Sequence, residues 1–76
     1  MSQANIDAAN ALRQEIKATA AELWALRPQL LAEPEAIANA TLAYRHLEDA
    51  SMRLGKVIQA LDGGVSVYDK ATTVGA

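Results

Sequence analysis

The chain has 76 residues, 17 of them Ala and 9 Leu, with no Phe and no Cys, and its formal charge is −2. This length admits one domain, and the missing thiols exclude disulfides, thiolate metal sites and thiol catalysis together, as suits a reducing compartment. The acidic balance argues against a dedicated binder of duplex nucleic acid, no apolar run reaches a membrane span, and the first five residues lack signal-peptide character, so a soluble intracellular helical protein is expected.

Taken in chain order, residues 1–76 divide into a helix, a second helix and a tail. The first helix is expected over 5–31, since Asn5 or Asp7 can accept from the free N–H groups of its first turn. Pro28 lies in its last turn and predicts a kink or a stop near 26–31. Glu33-Pro34-Glu35 restarts the chain, because proline suits the first helical position and acids suit the positive end of the helix dipole. The second helix then runs 34–61. Gly63-Gly64 ends it, glycine taking a left-handed cap without penalty. The tail, 63–76, contains Val65-Ser66-Val67-Tyr68 and reads as extended.

Heptad spacing makes the helices specific. Ala9, Ile16, Leu23 and Leu30 are seven apart, and Leu12, Thr19 and Leu26 follow three residues behind. In the second helix Ile37, Tyr44, Ser51 and Ile58 form one row, and Ala40, Leu47, Leu54 and Leu61 the other. Such rows belong to helices packing at a shallow angle. Facing members of the two helices have numbers that sum to 70, which predicts an antiparallel two-helix hairpin with arms of roughly 40 Å at 1.5 Å per residue. Thr19 opposite Ser51 is the one polar layer of that seam. The two hydroxyls either set the register, bonding each other or a carbonyl one turn back, or open the seam to a ligand. Trp24, Leu31, Leu42, Met52 and Val57 fall off the seam and read as a patch that meets further copies of the chain.

Chemistry is sparse. His46 is the only histidine and has no cysteine beside it, so triads and zinc sets lack their parts. Gly63-Gly64 is not a phosphate loop. Glu48-Asp49 sits between Arg45 and Arg53, and carboxylates so placed support a helix face. No cofactor is expected, and the chain reads as a non-enzyme. Anion binding is better supported. Arg13 and Lys17 are like charges four apart, an arrangement that is unfavourable unless an anion lies between them. Arg53 and Lys56 make a second basic pair, and residue 53 falls level with residue 17 in the expected pairing. With Thr19 and Ser51 close by, these side chains could hold phosphate oxygens by charge-assisted bonds.

The stretch Ile6-Asp7, Asn10, Arg13, Ile16-Lys17-Ala18-Thr19 and Glu22-Leu23, followed by Leu47-Glu48-Asp49-Ala50-Ser51-Met52-Arg53-Leu54-Gly55-Lys56-Val57-Ile58, resembles the helical hairpin of phage sponge proteins. These anti-CBASS and anti-Thoeris sponges sequester the cyclic nucleotide signals of bacterial immunity. The resemblance covers about residues 6 to 61. It implies a compact homo-oligomer, a hexamer, that acts in the cytoplasm of an infected bacterium and holds cyclic di- or trinucleotides between protomers without cleaving them. By motif, the family's ligand-contacting lysine and threonine fall on Lys17 and Thr19. A base also needs a stacking surface. Relatives use an aromatic in a longer leader, so here stacking falls to Trp24 or Tyr68, with Tyr44 in the seam.

The full candidate set is Lys17, Thr19, Arg13, Arg53, Ser51 and Arg45 for phosphate and ribose, with Tyr68 and Trp24 for the base. The tail is expected to pack across a neighbouring subunit and to bring Tyr68 or Lys70 to an intersubunit pocket. The competing reading is a protein-binding hairpin, such as an adaptor or a small antitoxin, that docks a different protein through the off-seam apolar residues.

Overall fold

The computed structural model describes residues 3–63. They form two long helices, α1 (Gln3–Leu26) and α2 (Pro34–Leu61), joined through a 3-10 turn at Arg27–Leu30. The helices pack against each other, and there is no strand among the described residues. Gly64, the tail from Val65 onward, Tyr68 and Lys70 lie outside the described residues, so the expectations placed on them have no structural counterpart.

α2 has the bounds that Pro34 and Gly63 imply. Glu33 is extended (φ −120°, ψ 90°), as the residue before a proline must be when the ring crowds its backbone. It still accepts the first helical bond, from Ile37 N–H at 3.0 Å. At the far end Asp62 N–H donates to Ile58 and Gln59 carbonyls, and Gly63 turns the chain away at φ 76°.

α1 departs from the expected bounds of 5–31 at both ends, although its stop falls within the 26–31 break that Pro28 predicts. It is already helical at Gln3, so Asn5 and Asp7 sit inside it and cap nothing; Asp7 instead accepts from Gln3 Nε2 at 3.0 Å. Its α-helical bonding ends at Leu26 rather than near residue 31. Pro28 has no N–H and its ring crowds the carbonyl one turn back, so residues 27–30 tighten into 3-10 geometry.

The seam confirms three of the four expected rows. On α2 both hold: Ala40, Ser51 and Ile58 are buried, and Ile37, Tyr44, Leu47, Leu54 and Leu61 are half-buried. On α1 the row Ala9, Ile16, Leu23, Leu30 holds as well. Its companion does not. Leu12, Thr19 and Leu26 are exposed, and their place is taken by Ile6, Arg13, Ala20 and Arg27, one position further round the helix. Two causes act together. Ala20 is small enough to let α2 approach, and the arginine stems lie along apolar surface while their charged heads reach its edge.

Cross-helix contacts carry a register two lower than expected. Trp24 meets Tyr44, Arg27 bonds Thr41, and Arg13 approaches Gly55. Each pair sums to 68. Lys17 is therefore level with Ser51, not with Arg53.

The interior is thin. Among the described residues only Ala9, Ala20, Ala40 and Ile58 are buried apolar residues, and no large side chain is fully enclosed. The two helices make a single layer, so among the described residues nothing covers its two broad faces, where stable domains stack two layers. Trp24, Leu31, Leu42, Met52 and Val57 are all exposed as expected, but they do not make one patch. At 100° per residue, the three on α2 spread over roughly 140° of its circumference.

Candidate functional site

One broad face of the helix pair is grooved. A cavity of about 500 Å³ lies between Arg13, Lys17, Ala20 and Ala21 of α1 and a stripe of α2 running from Tyr44 to Gln59. Its size is that of a small-molecule site. Ala20 and Ala21 leave the volume, and Leu47, Tyr44 and Met52 supply an apolar wall. The polar groups are Arg13, Lys17 and Lys56, the carboxylate of Glu48, and Ser51 and Gln59.

Arg13 is the unusual member. Its Nε is shut off from solvent and has no hydrogen-bond partner among the described residues. Leaving a buried donor unmade costs about 1–3 kcal/mol, more when the group is charged. Gly55 of α2 lies against the guanidinium: a Cβ built there would lie 3.8 Å from Nε, an ordinary van der Waals contact. A glycine inside a helix sacrifices about 1 kcal/mol relative to alanine, and the space beside Arg13 does not require it.

The three cations face a single carboxylate, and Glu48 is already engaged by Tyr44. Burial holds the Tyr44 hydroxyl above its ordinary value of 10.0, with smaller contributions from the charge of Glu48 and from the hydrogen bond the phenol donates to it. The groove is thus locally basic in an acidic chain. Near this site a second cluster ties the helices together. Tyr44 packs on Trp24 with ring centroids 4.8 Å apart at a 48° tilt, within the range of favourable aromatic pairs. The Arg27 guanidinium stacks on the same indole at 4.3 Å. Its Nε donates to Thr41 Oγ1 at 3.1 Å, and that hydroxyl donates to Ile37 O at 2.8 Å.

Of the residues singled out in the sequence, the structure brings together Arg13, Lys17 and Ser51. Thr19 is elsewhere. It lies roughly 160° around α1 from Lys17 at 100° per residue, and its hydroxyl donates to Glu15 O at 3.0 Å. The expected Thr19–Ser51 layer therefore does not form. Of the two carbonyl-or-partner alternatives, Thr19 takes the carbonyl one turn back. Arg53 is exposed and does not line the groove; Lys56, the other half of its pair, does. Arg45 borders a shallow depression with Glu48, Asp49 and Met52, next to the groove rather than in it. Trp24 is 51% exposed and reaches the site only through Tyr44.

Tyr44, Glu48, Gly55 and Gln59 were not among the candidates. A signal for them existed: with Ser51, Met52 and Lys56 they form a stripe beside the seam at helical spacing, and Gly55 is an otherwise costly residue in a helix interior. Among the described residues no three His, Asp or Glu side chains converge as a metal set, and no helix is long and apolar enough to cross a membrane. No protein-family model, curated protein or solved structure matches the chain.

Proposed function

We propose that this chain is a non-catalytic sponge for a small phosphate-bearing signal, in the manner of the phage sponges it resembles: an antiparallel helical hairpin that assembles into a homo-oligomer, a hexamer in that family's pattern, and sequesters a cyclic di- or trinucleotide in the cytoplasm of an infected bacterium. The observation that carries the reading is Arg13, whose buried Nε has no partner among the described residues and borders a groove also lined by Lys17 and Lys56. A small shift of the side chain would bring that donor to the groove, where a phosphate oxygen would complete it with a charge-assisted bond, worth about twice a neutral one. Lys17 and Lys56 would add charge, Ser51 would donate to phosphate or ribose, and Tyr44 with Met52 would offer the apolar wall on which a base can rest. No bond is made or broken; the protein acts by stoichiometry, lowering the free signal below the threshold of its effector.

The test is calorimetric titration with a panel of cyclic dinucleotides, cyclic trinucleotides and cyclic ADP-ribose isomers, followed by recovery of the ligand after heat denaturation. Tight binding, intact release and loss of binding in Lys17→Ala are expected. Absence of binding across the panel would overturn the reading and favour a hairpin that docks another protein, with Trp24→Ala and Met52→Ala as the variants that lose it.

A further inference from the structure

The broad face opposite the groove is built differently. On α1 it carries Leu12, Thr19 and Leu26, seven apart, with Leu12 52% and Leu26 42% exposed. On α2 it carries Ala43, Ala50 and Val57, also seven apart. Leucine holds two of the three positions in the first row and alanine two of the three in the second. Thr19 does not spoil the apolar character, since its hydroxyl is satisfied by Glu15 O. Polar side chains stand at the two outer edges: the carboxylates of Glu15 and Glu22 beyond the α1 row, the imidazole of His46 and the guanidinium of Arg53 beyond the α2 row, each pair again seven apart.

We infer that this face docks a second copy of the same chain, related by a two-fold axis running along the helices, so that α1 of one copy lies on α2 of the other. Such an axis exchanges the helices and preserves height along them. In the register that sums to 68, it sets Glu15 of each copy level with Arg53 of the other, and Glu22 level with His46. Leu12, Thr19 and Leu26 then rest over Val57, Ala50 and Ala43, each within one residue of level, and at two of the three layers the larger side chain meets alanine. Glu15 and Arg53 are complementary charges in this arrangement, and Glu22 meets a hydrogen-bonding imidazole, whereas laying α1 on α1 would bring the carboxylates of Glu15 and Glu22 together. The area suffices. A face about 36 Å long, from 24 residues of α1 at 1.5 Å each, and two helices of about 10 Å wide, presents roughly 700 Å² per chain. A standard interface takes about 800 Å² from each partner. The product is a four-helix bundle, two layers thick, with the cationic groove of each copy on its outer surface. The inference stands apart from the ligand reading, because it uses neither the groove nor its cations.

The test exploits the absence of cysteine. Chains carrying Thr19→Cys are mixed with chains carrying Ala50→Cys and oxidised, alongside each variant alone and Lys17→Cys as a groove-side control. The expected product is a disulfide-linked pair in the mixture, little from either variant alone and none from the control. Sedimentation equilibrium should give a species of at least two chains, loosened by Glu15→Lys and restored when Arg53→Glu is added. These are exposed residues, so the hairpin itself is spared. A monomer at tens of micromolar, crosslinking of Thr19→Cys chains to one another in preference to the mixture, or crosslinking through Lys17→Cys would each overturn the inference. Ligand binding by a chain that stays monomeric would refute it, and the assembly part of the proposed function with it, while leaving the anion-binding role of the groove intact.

Discussion

The two broad faces of this helix pair are made from the same two helices and differ in almost every property. The groove face gathers Arg13, Lys17 and Lys56 around a hollow left by Ala20, Ala21 and Gly55. The opposite face gathers exposed leucines, alanines and a valine, with its charges at the rim. Residues on both sides recur at heptad spacing, so periodicity alone does not separate them. What separates them is size and charge at each step. A hollow with an unpaired donor suits a small anion, and a smooth apolar face with complementary edges suits another helix pair. Neither face can be covered by the chain's own described residues, because the two helices make a single layer.

The seam that both faces share gives the largest expected effect. Ile58 is the most buried apolar side chain, at 5% exposed, and Ile58→Ala removes three carbons from a core otherwise made of alanines. A loss of about 2–4 kcal/mol is expected from transfer and cavity terms, read as a drop in the urea midpoint at constant protein concentration. If the seam can close over the gap the loss will be near the lower bound, and no loss at all would mean that the helices do not pack there.

Arg13 divides the faces more sharply. Arg13→Met keeps an apolar stem over the seam and deletes the unpaired Nε, so the free protein should gain about 1 kcal/mol. Anion affinity should meanwhile fall at least tenfold, which is the lower end of what a charge-assisted hydrogen bond supplies. Opposite signs for stability and binding are the prediction; a variant that loses both would mark Arg13 as structural. Gly55→Ala is expected to stabilise by roughly 0.5–1 kcal/mol, because alanine is the better helix former and its Cβ would make only ordinary contact with Arg13 at 3.8 Å. Thermal unfolding of the two variants and the parent decides both.

The smallest effect is a pH dependence. Burial and then Glu48 hold the Tyr44 phenol above 10.0, so its folded value exceeds its unfolded one. Stability from this source is complete below pH 10 and is lost as pH rises through the folded value, when the phenolate must form beside a carboxylate. In a Tyr68→Phe background the ultraviolet titration of the remaining tyrosine should shift upward relative to the unfolded chain. Glu48→Gln should reduce the shift without abolishing it, since desolvation is its first cause.

The bounds of α2 were legible in the residues because Pro34 and Gly63 act locally: each dictates backbone geometry whatever surrounds it. The rows of α2 were legible for a related reason, as its apolar residues select one face without rival. α1 is the opposite case. Ala9, Ile16, Leu23 and Leu30 can be paired with Leu12, Thr19 and Leu26 on one side or with Ile6, Arg13, Ala20 and Arg27 on the other. A count of apolar side chains prefers the first, and packing chose the second, because alanine permits close approach and an arginine stem covers a seam as well as a leucine does. The same choice moved the register from 70 to 68 and parted Thr19 from Ser51. It also decided the candidate site. Arg13 and Lys17 were visible as like charges one turn apart, whereas Lys56, Glu48 and Gly55 joined them only when the helices were laid side by side.

By itself, then, the sequence determined that the chain is helical, where α2 begins and ends, where α1 gives way near Pro28, and which residues of α2 face inward, all consequences of backbone preference and periodicity along one helix. Tertiary structure alone decided which flank of α1 meets α2, and with it which cations share a groove and which leucines are left facing outward. That choice depends on the distance of closest approach between two helices, a property of pairs of residues that no single helix contains.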